Sequence, residues 1–175
     1  MRFDSCDIAG VWIASDDLKA DERGTFTRVF DVDAFVCQGL PDEWPQAGIS
    51  TTFRRGTIRG MHFQRPPFEE IKCVQCVRGA IHDVVVDLRR DSLTYLKHAA
   101  FYLSQQSPAT LIVPHGCAHG YQTVTDDCSV LYRMSTRYMP GHGSGVRHDD
   151  PALNIQWPLP VSVISDQDRA WGQIG

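Results

Sequence analysis

The chain has 175 residues, 42% of them hydrophobic, which is enough for one domain with a core and too few for two. Its formal net charge of -4 gives no overall attraction to phosphate backbones or anionic membranes, so we expect neither nucleic acid nor a membrane as a partner. The first ten residues contain no apolar run, so we expect no signal peptide or transmembrane helix and predict a cytoplasmic protein.

Short β-strands, separated by scattered glycines and prolines, dominate the predicted secondary structure. They cover residues 10–14, 24–30, 46–53, 57–63, 70–78, 80–88, 97–103, 109–113, 120–124, 129–134 and 161–164. One helix is predicted over residues 32–38, with Asp31 as its N-terminal cap. Many short strands with glycine-containing turns predict an all-β fold, a jelly-roll barrel that spans residues 1–175 as a single domain and encloses a ligand cavity.

The six cysteines are expected to be free thiols, because the chain shows no leader for an oxidising compartment. Cys73 and Cys76 form a C-x-x-C pattern, which is also found in zinc and redox sites. Both lie in a predicted strand, where residues three apart point to opposite faces. We therefore predict that the two sulfur atoms diverge and are structural.

The segment 114–119 has the form P-x-G-x-x-H, which is typical of the second cupin motif and would deliver His119 into a cupin-like barrel. The first cupin motif normally supplies two histidines two residues apart and then a glutamate, but here His62 is followed by Gln64. A metal needs three or four such ligands, so we expect no metal or other cofactor and favour acid–base chemistry. A reduced metal site made of His62, Glu70 and His119 remains an alternative.

Three other residues are candidates for chemistry, although each also has an ordinary structural interpretation. Lys72 shares a strand face with Val74, so its ammonium enters an apolar interior, where a charge is costly unless an anion forms nearby. The alternative is a lysine that extends to the barrel rim. Tyr132 shares a face with Val130 and is also compatible with an ordinary core position, and Asp168 is compatible with an exposed acid.

Seven motifs in order resemble the dTDP-4-dehydrorhamnose 3,5-epimerase family, and together they cover essentially the whole chain. They are D-E-R-G-T-F at 21–26, G-T-I-R-G-M-H-F-Q at 56–64, V-R-G-A-I-H-D-V-V-V-D-L-R at 77–89, V-P-H-G-C-A-H-G at 113–120, G-V-R-H-D-D-P at 145–151, I-Q-W-P at 155–158 and V-I-S-D-Q-D at 163–168. The resemblance implies a nucleotide-sugar epimerase. Such an enzyme inverts carbon 3, carbon 5 or both in a nucleotide-linked 4-keto-6-deoxyhexose, through an enolate and without a metal.

The resemblance also implies roles for individual residues. His62 would be the base, and Asp168 would orient and charge its imidazole. Lys72 would stabilise the enolate oxygen, and Tyr132 would return a proton from the opposite face of the sugar. The implied substrate-binding residues are Arg59, Arg23, Phe26, His119, Asp83, Tyr138 and Gln64. The resemblance further implies a homodimer with exchanged strands, in which Arg23 and Phe26 meet the nucleotide across the interface.

Departures from the family leave the substrate less defined than the reaction. Family members commonly carry Glu where this chain has Arg28, and Gln and Asn where it has Ala47 and Ile49. We expect these positions on the nucleotide and sugar side of the pocket, so the nucleotide, the sugar and the number of inverted centres stay open. Two alternatives also remain: a metal-dependent cupin isomerase or dioxygenase, and a non-catalytic sugar-binding barrel.

Overall fold

The computed structural model describes residues 1–174, which are almost entirely built from short strands. The elements are β1 (Arg2–Ser5), β2 (Trp12–Ser15), β3 (Lys19–Asp21), β4 (Gly24–Phe26), α1 (Val32–Cys37), β5 (Gln46–Thr52), β6 (Ile58–Gln64), β7 (Lys72–Arg78), β8 (Ala80–Asp87), β9 (His98–Ser104), β10 (Thr110–Val113), β11 (Cys117–Thr123), β12 (Cys128–Met134), β13 (Gly143–Gly145) and α2 (Asp166–Arg169). The all-β prediction with short helices is confirmed.

Two antiparallel sheets pack against each other and enclose the main core. One has six strands in the order β1-β2-β10-β7-β12-β5, and the other has five in the order β13-β6-β11-β8-β9. Side chains such as Val74 and Val130 from the first sheet meet Ile81, Val85 and Tyr121 from the second in one buried cluster. This two-sheet arrangement is the predicted jelly roll.

Strand β8 is buried on both faces, as its continuous apolar pattern predicts. Ile81 and Val85 face the core between the sheets. Val84 and Val86 face a second cluster, which includes Leu153 from the C-terminal segment. The C-terminal segment therefore covers the outer face of the five-stranded sheet.

The N-terminal segment covers part of the outer face of the six-stranded sheet. Phe35 of α1 is fully buried there, and Asp31 caps this helix by accepting a hydrogen bond from the Ala34 N–H at 3.1 Å. Cys73 belongs to this outer cluster, whereas Cys76 belongs to the core between the sheets. The two sulfur atoms thus diverge as predicted, and burial raises the pKa of the Cys76 thiol to about 12.

Some predicted boundaries differ from those in the structure. The predicted strand 24–30 is reduced to β4, and the predicted strand at 161–164 is an irregular segment held by one parallel bridge between Thr57 and Val163. Strand β11 begins earlier than predicted, at Cys117, because the tight turn at Pro114 and Gly116 leads directly into it. Strands β1, β3 and β13 and helix α2 were not predicted.

The β3–β4 hairpin forms a separate two-stranded sheet. All six of its strand residues are exposed, and Phe26 has 63% of its surface accessible. Within residues 1–174, no helix is long and apolar enough to cross a membrane.

Candidate active site

A cavity of about 690 Å³ lies between the two sheets and the C-terminal segment. It is lined by eight of the residues that the sequence predicts for the site: Arg59, His62, Gln64, Lys72, His119, Tyr132, Tyr138 and Asp168. Asp83 is fully buried directly behind His119. Arg23 and Phe26 lie on the exposed β3–β4 hairpin and do not line the cavity of their own chain.

His62 and Asp168 form a short polar contact in the cavity. The Nε2 atom of His62 lies 2.6 Å from Oδ1 of Asp168. The histidine side chain is 42% exposed and the aspartate only 7%, so the imidazole is open to a ligand while its carboxylate partner is enclosed. When Nε2–H donates to the carboxylate, the lone pair on Nδ1 is available as a base.

Helix α2 and strand β6 hold Asp168 from two sides. The Ser165 side chain caps α2 by accepting a hydrogen bond from the Asp168 N–H at 3.0 Å. The Gly60 N–H donates to Oδ2 of Asp168 at 3.1 Å. Burial favours the protonated acid, but the hydrogen bond and charge of His62, together with the Gly60 N–H, outweigh it and lower the pKa of Asp168. The group is therefore a carboxylate at neutral pH.

His119 lies directly opposite His62 on the neighbouring strand β11. Its Nε2 atom lies 2.9 Å from both carboxylate oxygens of Asp83 on β8. Burial raises the pKa of Asp83, and the contact with His119 opposes this effect. Since both side chains are almost fully enclosed, this second pair supports the cavity wall and has little access to solvent.

Two facing glycines allow β6 and β11 to approach closely beside the histidines. A Cβ atom at Gly60 would lie 2.5 Å from the Gly120 Cα, and Gly60 has a positive φ of 148°. The strand pairing shifts register at this point, between His119 and Tyr121. The close approach thus places His62 and His119 side by side at the cavity floor.

Lys72 carries a positive charge into the cavity from β7, on the other sheet. Its side chain is 13% exposed, and Nζ lies 3.3 Å from Oε1 of Glu70 and donates to the His62 carbonyl at 3.2 Å. The lysine therefore points inward and not to the barrel rim. Its ammonium lies close enough to His62 for both groups to contact one small ligand.

Tyr132 enters the cavity from β12, and its ring lies edge-on to the His119 ring with centroids 6.0 Å apart. Burial raises the pKa of Tyr132 well above its usual value, and the nearby Tyr121 and Asp83 raise it further. The hydroxyl consequently stays protonated at neutral pH. A protonated hydroxyl in the cavity is able to act as a proton donor.

Gln64 is bound mainly by protein groups, although the family resemblance implies a substrate contact. Its amide nitrogen donates to the Phe68 carbonyl at 3.0 Å and to Glu70 at 3.3 Å, and its amide oxygen accepts from the Met139 N–H at 2.8 Å. These bonds fix the segment that carries Tyr138. Tyr138 lines the cavity rim and remains 60% exposed.

Trp171 also lines the cavity, although the sequence analysis did not single it out. Its ring lies edge-on to His62 with centroids 6.4 Å apart, and it packs on Gly145, where a Cβ atom would lie 2.5 Å from the indole. The available signal was its position three residues after Asp168, just beyond the C-terminal end of a short helix. Helix α2 was not predicted, so this relationship was missed.

Ala47 and Ile49 do not line the cavity of their own chain. The pairing of β5 with β12 sets Ala47 opposite Arg133 and Ile49 opposite Leu131, and Ile49 is 66% exposed. Gly48, opposite Tyr132, alternates with them on the cavity side. Since side chains on a strand alternate between faces, Ala47 and Ile49 lie on the outer face of β5. Their expected place beside the nucleotide stays a prediction.

The geometry does not favour the metal alternative. The Nε2 atoms of His62 and His119 face Asp168 and Asp83, whereas Glu70 pairs with Lys72. In the described part of the chain, no three His, Cys, Asp or Glu side chains are grouped so that they could hold a metal ion.

Comparisons with known proteins agree with the geometry. Residues 5–175 match the family described as dTDP-4-dehydrorhamnose 3,5-epimerase. The enzyme of that name from Methanothermobacter thermautotrophicus is 37% identical over 173 residues, which cover 97% of this chain and 92% of that protein. The dTDP-4-dehydrorhamnose 3-epimerase of Streptomyces niveus is 37% identical over 170 residues, which cover 97% of this chain and 82% of that protein.

Solved structures give the same result for the fold. The crystal structure of dTDP-4-dehydrorhamnose 3,5-epimerase from Bacillus anthracis, with TDP and PPi bound, has a TM-score of 0.95 to this chain. The two are 34% identical, and the match covers 99% of each chain.

Proposed function

The chain belongs to the dTDP-4-dehydrorhamnose 3,5-epimerase family, and we propose how the residues of its cavity invert carbon centres in a nucleotide-linked sugar. It is an isomerase that acts on a 4-keto-6-deoxyhexose joined to a nucleotide. Relatives with equal identity include a 3,5-epimerase and a 3-epimerase, so the number of inverted centres is a matter for experiment.

His62 removes the proton from the sugar carbon next to the ketone. The ketone at carbon 4 acidifies the hydrogens on carbons 3 and 5, because the charge left by deprotonation moves onto the ketone oxygen. The observation that carries this proposal is the 2.6 Å pair between the half-exposed His62 and the enclosed Asp168 in the cavity. The carboxylate holds Nε2–H, which directs Nδ1 toward the ligand and stabilises the imidazolium after transfer.

Lys72 stabilises the enolate that this step creates. A developing negative charge in a partly enclosed cavity is stabilised most by a cation already fixed in place. The contacts of Nζ with Glu70 and with the His62 carbonyl support such a preorganised position. The Glu70 carboxylate also offsets the ammonium charge before the substrate binds.

Tyr132 returns a proton to the carbon from the other face of the ring. Inversion needs two groups on opposite faces, since a proton returned by His62 restores the starting configuration. The raised pKa of Tyr132 supports a protonated donor, and its position on the opposite sheet from His62 supports an approach from the other side.

The nucleotide part binds near the cavity mouth, with Arg59 and Tyr138 at the rim. A thymidine diphosphate is proposed because the similar Bacillus anthracis enzyme holds TDP. Arg23 and Phe26 are proposed to reach this nucleotide from a second copy of the chain. Their exposure on a hairpin that pairs only with itself supports a homodimer in which the hairpin covers the partner's cavity mouth.

Proton exchange in D₂O tests the function directly. The protein is incubated with dTDP-linked 4-keto-6-deoxyglucose, and deuterium at carbons 3 and 5 is followed by NMR together with the configuration of each carbon. We expect deuterium at one or both carbons with inversion. dTDP-glucose, which lacks the ketone, serves as the control and is expected to show no exchange. An unchanged keto sugar would contradict the function, and binding without exchange would favour the sugar-binding alternative.

A further inference from the structure

Tyr121 is a fully buried tyrosine that the proposed reaction does not use. It lies on β11, in the core between the sheets. Its hydroxyl lies 3.2 Å from Oγ of Ser50 and 3.2 Å from Oγ1 of Thr52, both on β5. The side chain therefore crosses from the five-stranded sheet to the edge strand of the six-stranded sheet and ends among hydroxyl groups.

These hydroxyl groups lie next to Tyr132. Along the β5–β12 pairing, Tyr132 is opposite Gly48 and Val130 is opposite Ser50, so Ser50 and Tyr132 share the inner face. Tyr132 also packs against the cluster that contains Tyr121. After burial, the largest influences on the pKa of Tyr132 include Tyr121, which raises it.

The two hydroxyl partners of Tyr121 differ in their access to the cavity. Ser50 is half-buried and lines the cavity, where water and ligand enter. Thr52 is buried, and its Oγ1 accepts a hydrogen bond from Nε of Arg59 at 2.9 Å. Of the three hydroxyl groups, that of Ser50 is thus the one open to the cavity. The buried Thr52 hydroxyl holds Tyr121 in position.

We propose that Tyr121 relays protons from Ser50, at the cavity surface, to Tyr132. This inference rests on the proposed function, in which Tyr132 gives its proton to the sugar carbon. The resulting tyrosinate takes the proton of the Tyr121 hydroxyl, and the Tyr121 oxygen takes the proton of Ser50. The Ser50 oxygen takes a proton from water, and the hydroxide left behind is neutralised by the proton that His62 releases. Each oxygen loses one O–H bond and gains one, and the enzyme returns to its starting state.

The test compares one turnover with many turnovers in Tyr121→Phe. In a single turnover with enzyme in excess, Tyr132 starts protonated, so we expect inversion of the first carbon within about twofold of wild type. In steady state, Tyr132 of this variant must regain its proton without the relay. We therefore expect kcat to fall about tenfold or more while KM changes little. Ser50→Ala removes the open end of the relay and is expected to show the same split.

Matched controls lie on the outer surface. Tyr102→Phe makes the same chemical change at an exposed tyrosine of β9, and Thr51→Val removes a neighbouring β5 hydroxyl that lies on the exposed side. Both are expected to keep wild-type rates in the two experiments. They separate loss of the relay from the general effect of removing a hydroxyl group.

Two results overturn the relay. One is a Tyr121→Phe enzyme whose kcat stays within twofold of wild type, and the other is an equal loss in single-turnover and steady-state rates. If Tyr121→Phe does not fold, the same two criteria apply to Ser50→Ala. A wild-type enzyme that exchanges no deuterium refutes the proposed function itself, whereas an active wild type with an unaffected Tyr121→Phe refutes only the relay.

Discussion

His62 and His119 lie directly opposite each other on β6 and β11, yet their imidazoles meet different carboxylates in different surroundings. The His62 side chain is 42% exposed and pairs with Asp168, whereas the His119 side chain is 4% exposed and pairs with Asp83. A base must reach both the substrate and solvent to give up the proton it has taken. This difference in access favours His62 as the base and His119 as a wall residue.

His62→Ala is expected to abolish proton exchange and to leave nucleotide binding nearly unchanged. A base lowers the barrier but contributes little to ground-state affinity, so we expect a loss of about 100-fold or more in exchange rate. Deuterium incorporation and nucleotide titration measure the two effects separately. His115→Ala, at an exposed loop position, is the control and should retain activity. A His62→Ala enzyme with more than about a tenth of wild-type exchange would exclude the role.

Asp168→Asn is expected to lower kcat by about 100-fold or more, because the amide cannot stabilise the imidazolium that forms on His62.

The contribution of Asp168 to the free energy of unfolding should also change with pH in a defined direction. The pKa of Asp168 is lowered in the folded chain, so its carboxylate stabilises the fold above about pH 4, and this contribution is lost as the pH falls through the folded value.

Urea unfolding between pH 3 and pH 7 checks the second effect. Wild type should be more stable than Asp168→Asn at pH 7, and the difference should shrink below about pH 4. Asp166→Asn, in the same helix but outside the cavity lining, is the control for helix effects. A difference that stays constant over this range would contradict the assigned ion pair.

The sequence predicts the strand pattern well because burial imposes alternation along each strand. Lys72 and Tyr132 were therefore placed correctly on inner faces by pattern alone. Asp168 is 106 residues from His62 and lies on a four-residue helix, so no local pattern connects the pair, and only the family resemblance suggested it. Local periodicity does not show which strands become neighbours.

The same limit explains what the sequence analysis missed. The contact of Tyr121 with Ser50 joins residues 71 positions apart and depends on how the two sheets face each other. Ile49 faces outward because the pairing of β5 with β12 places Gly48 and Ser50 on the inner face that Tyr132 shares. Both properties belong to the assembled sheets and not to any single segment.

Gly120→Ala is expected to destabilise the protein, whereas Gly48→Ala is not. A Cβ atom at Gly120 would lie 2.8 Å from both the Arg59 carbonyl oxygen and the Gly60 Cα, so β6 and β11 would have to separate. Overpacking of this kind costs about 1–3 kcal/mol. A Cβ atom at Gly48, also within a strand, meets nothing within 4 Å. Urea unfolding of both variants measures the difference, and equal stabilities would contradict the close approach.

The homodimer is expected to persist at micromolar concentration and to place Arg23 near the partner's cavity. Light scattering checks the mass, and a monomer would contradict the proposal. Arg23→Ala should then raise KM for the nucleotide sugar and leave kcat less affected, because the residue is proposed to contact only the nucleotide. Arg2→Ala, at an exposed arginine on β1, is the control and should change neither constant.

Tyr132→Phe should separate proton removal from inversion. The substitution keeps the ring, which packs against His119, but removes the hydroxyl that is proposed to donate the proton. His62 can still take the proton and return a solvent-derived one to the face it came from. Deuterium should therefore still enter the sugar, while net inversion falls more severely.

The experiment follows both signals in one NMR sample in D₂O, with Tyr102→Phe as the control at an exposed tyrosine. Equal losses of exchange and inversion would contradict a donor role for Tyr132, because they would mean that the hydroxyl is needed before the proton leaves. Exchange that persists at only one of the two carbons would instead identify the enzyme as a monoepimerase. In that case the second carbon never reaches His62, and the specificity lies in how the cavity holds the sugar ring and not in its acid and base.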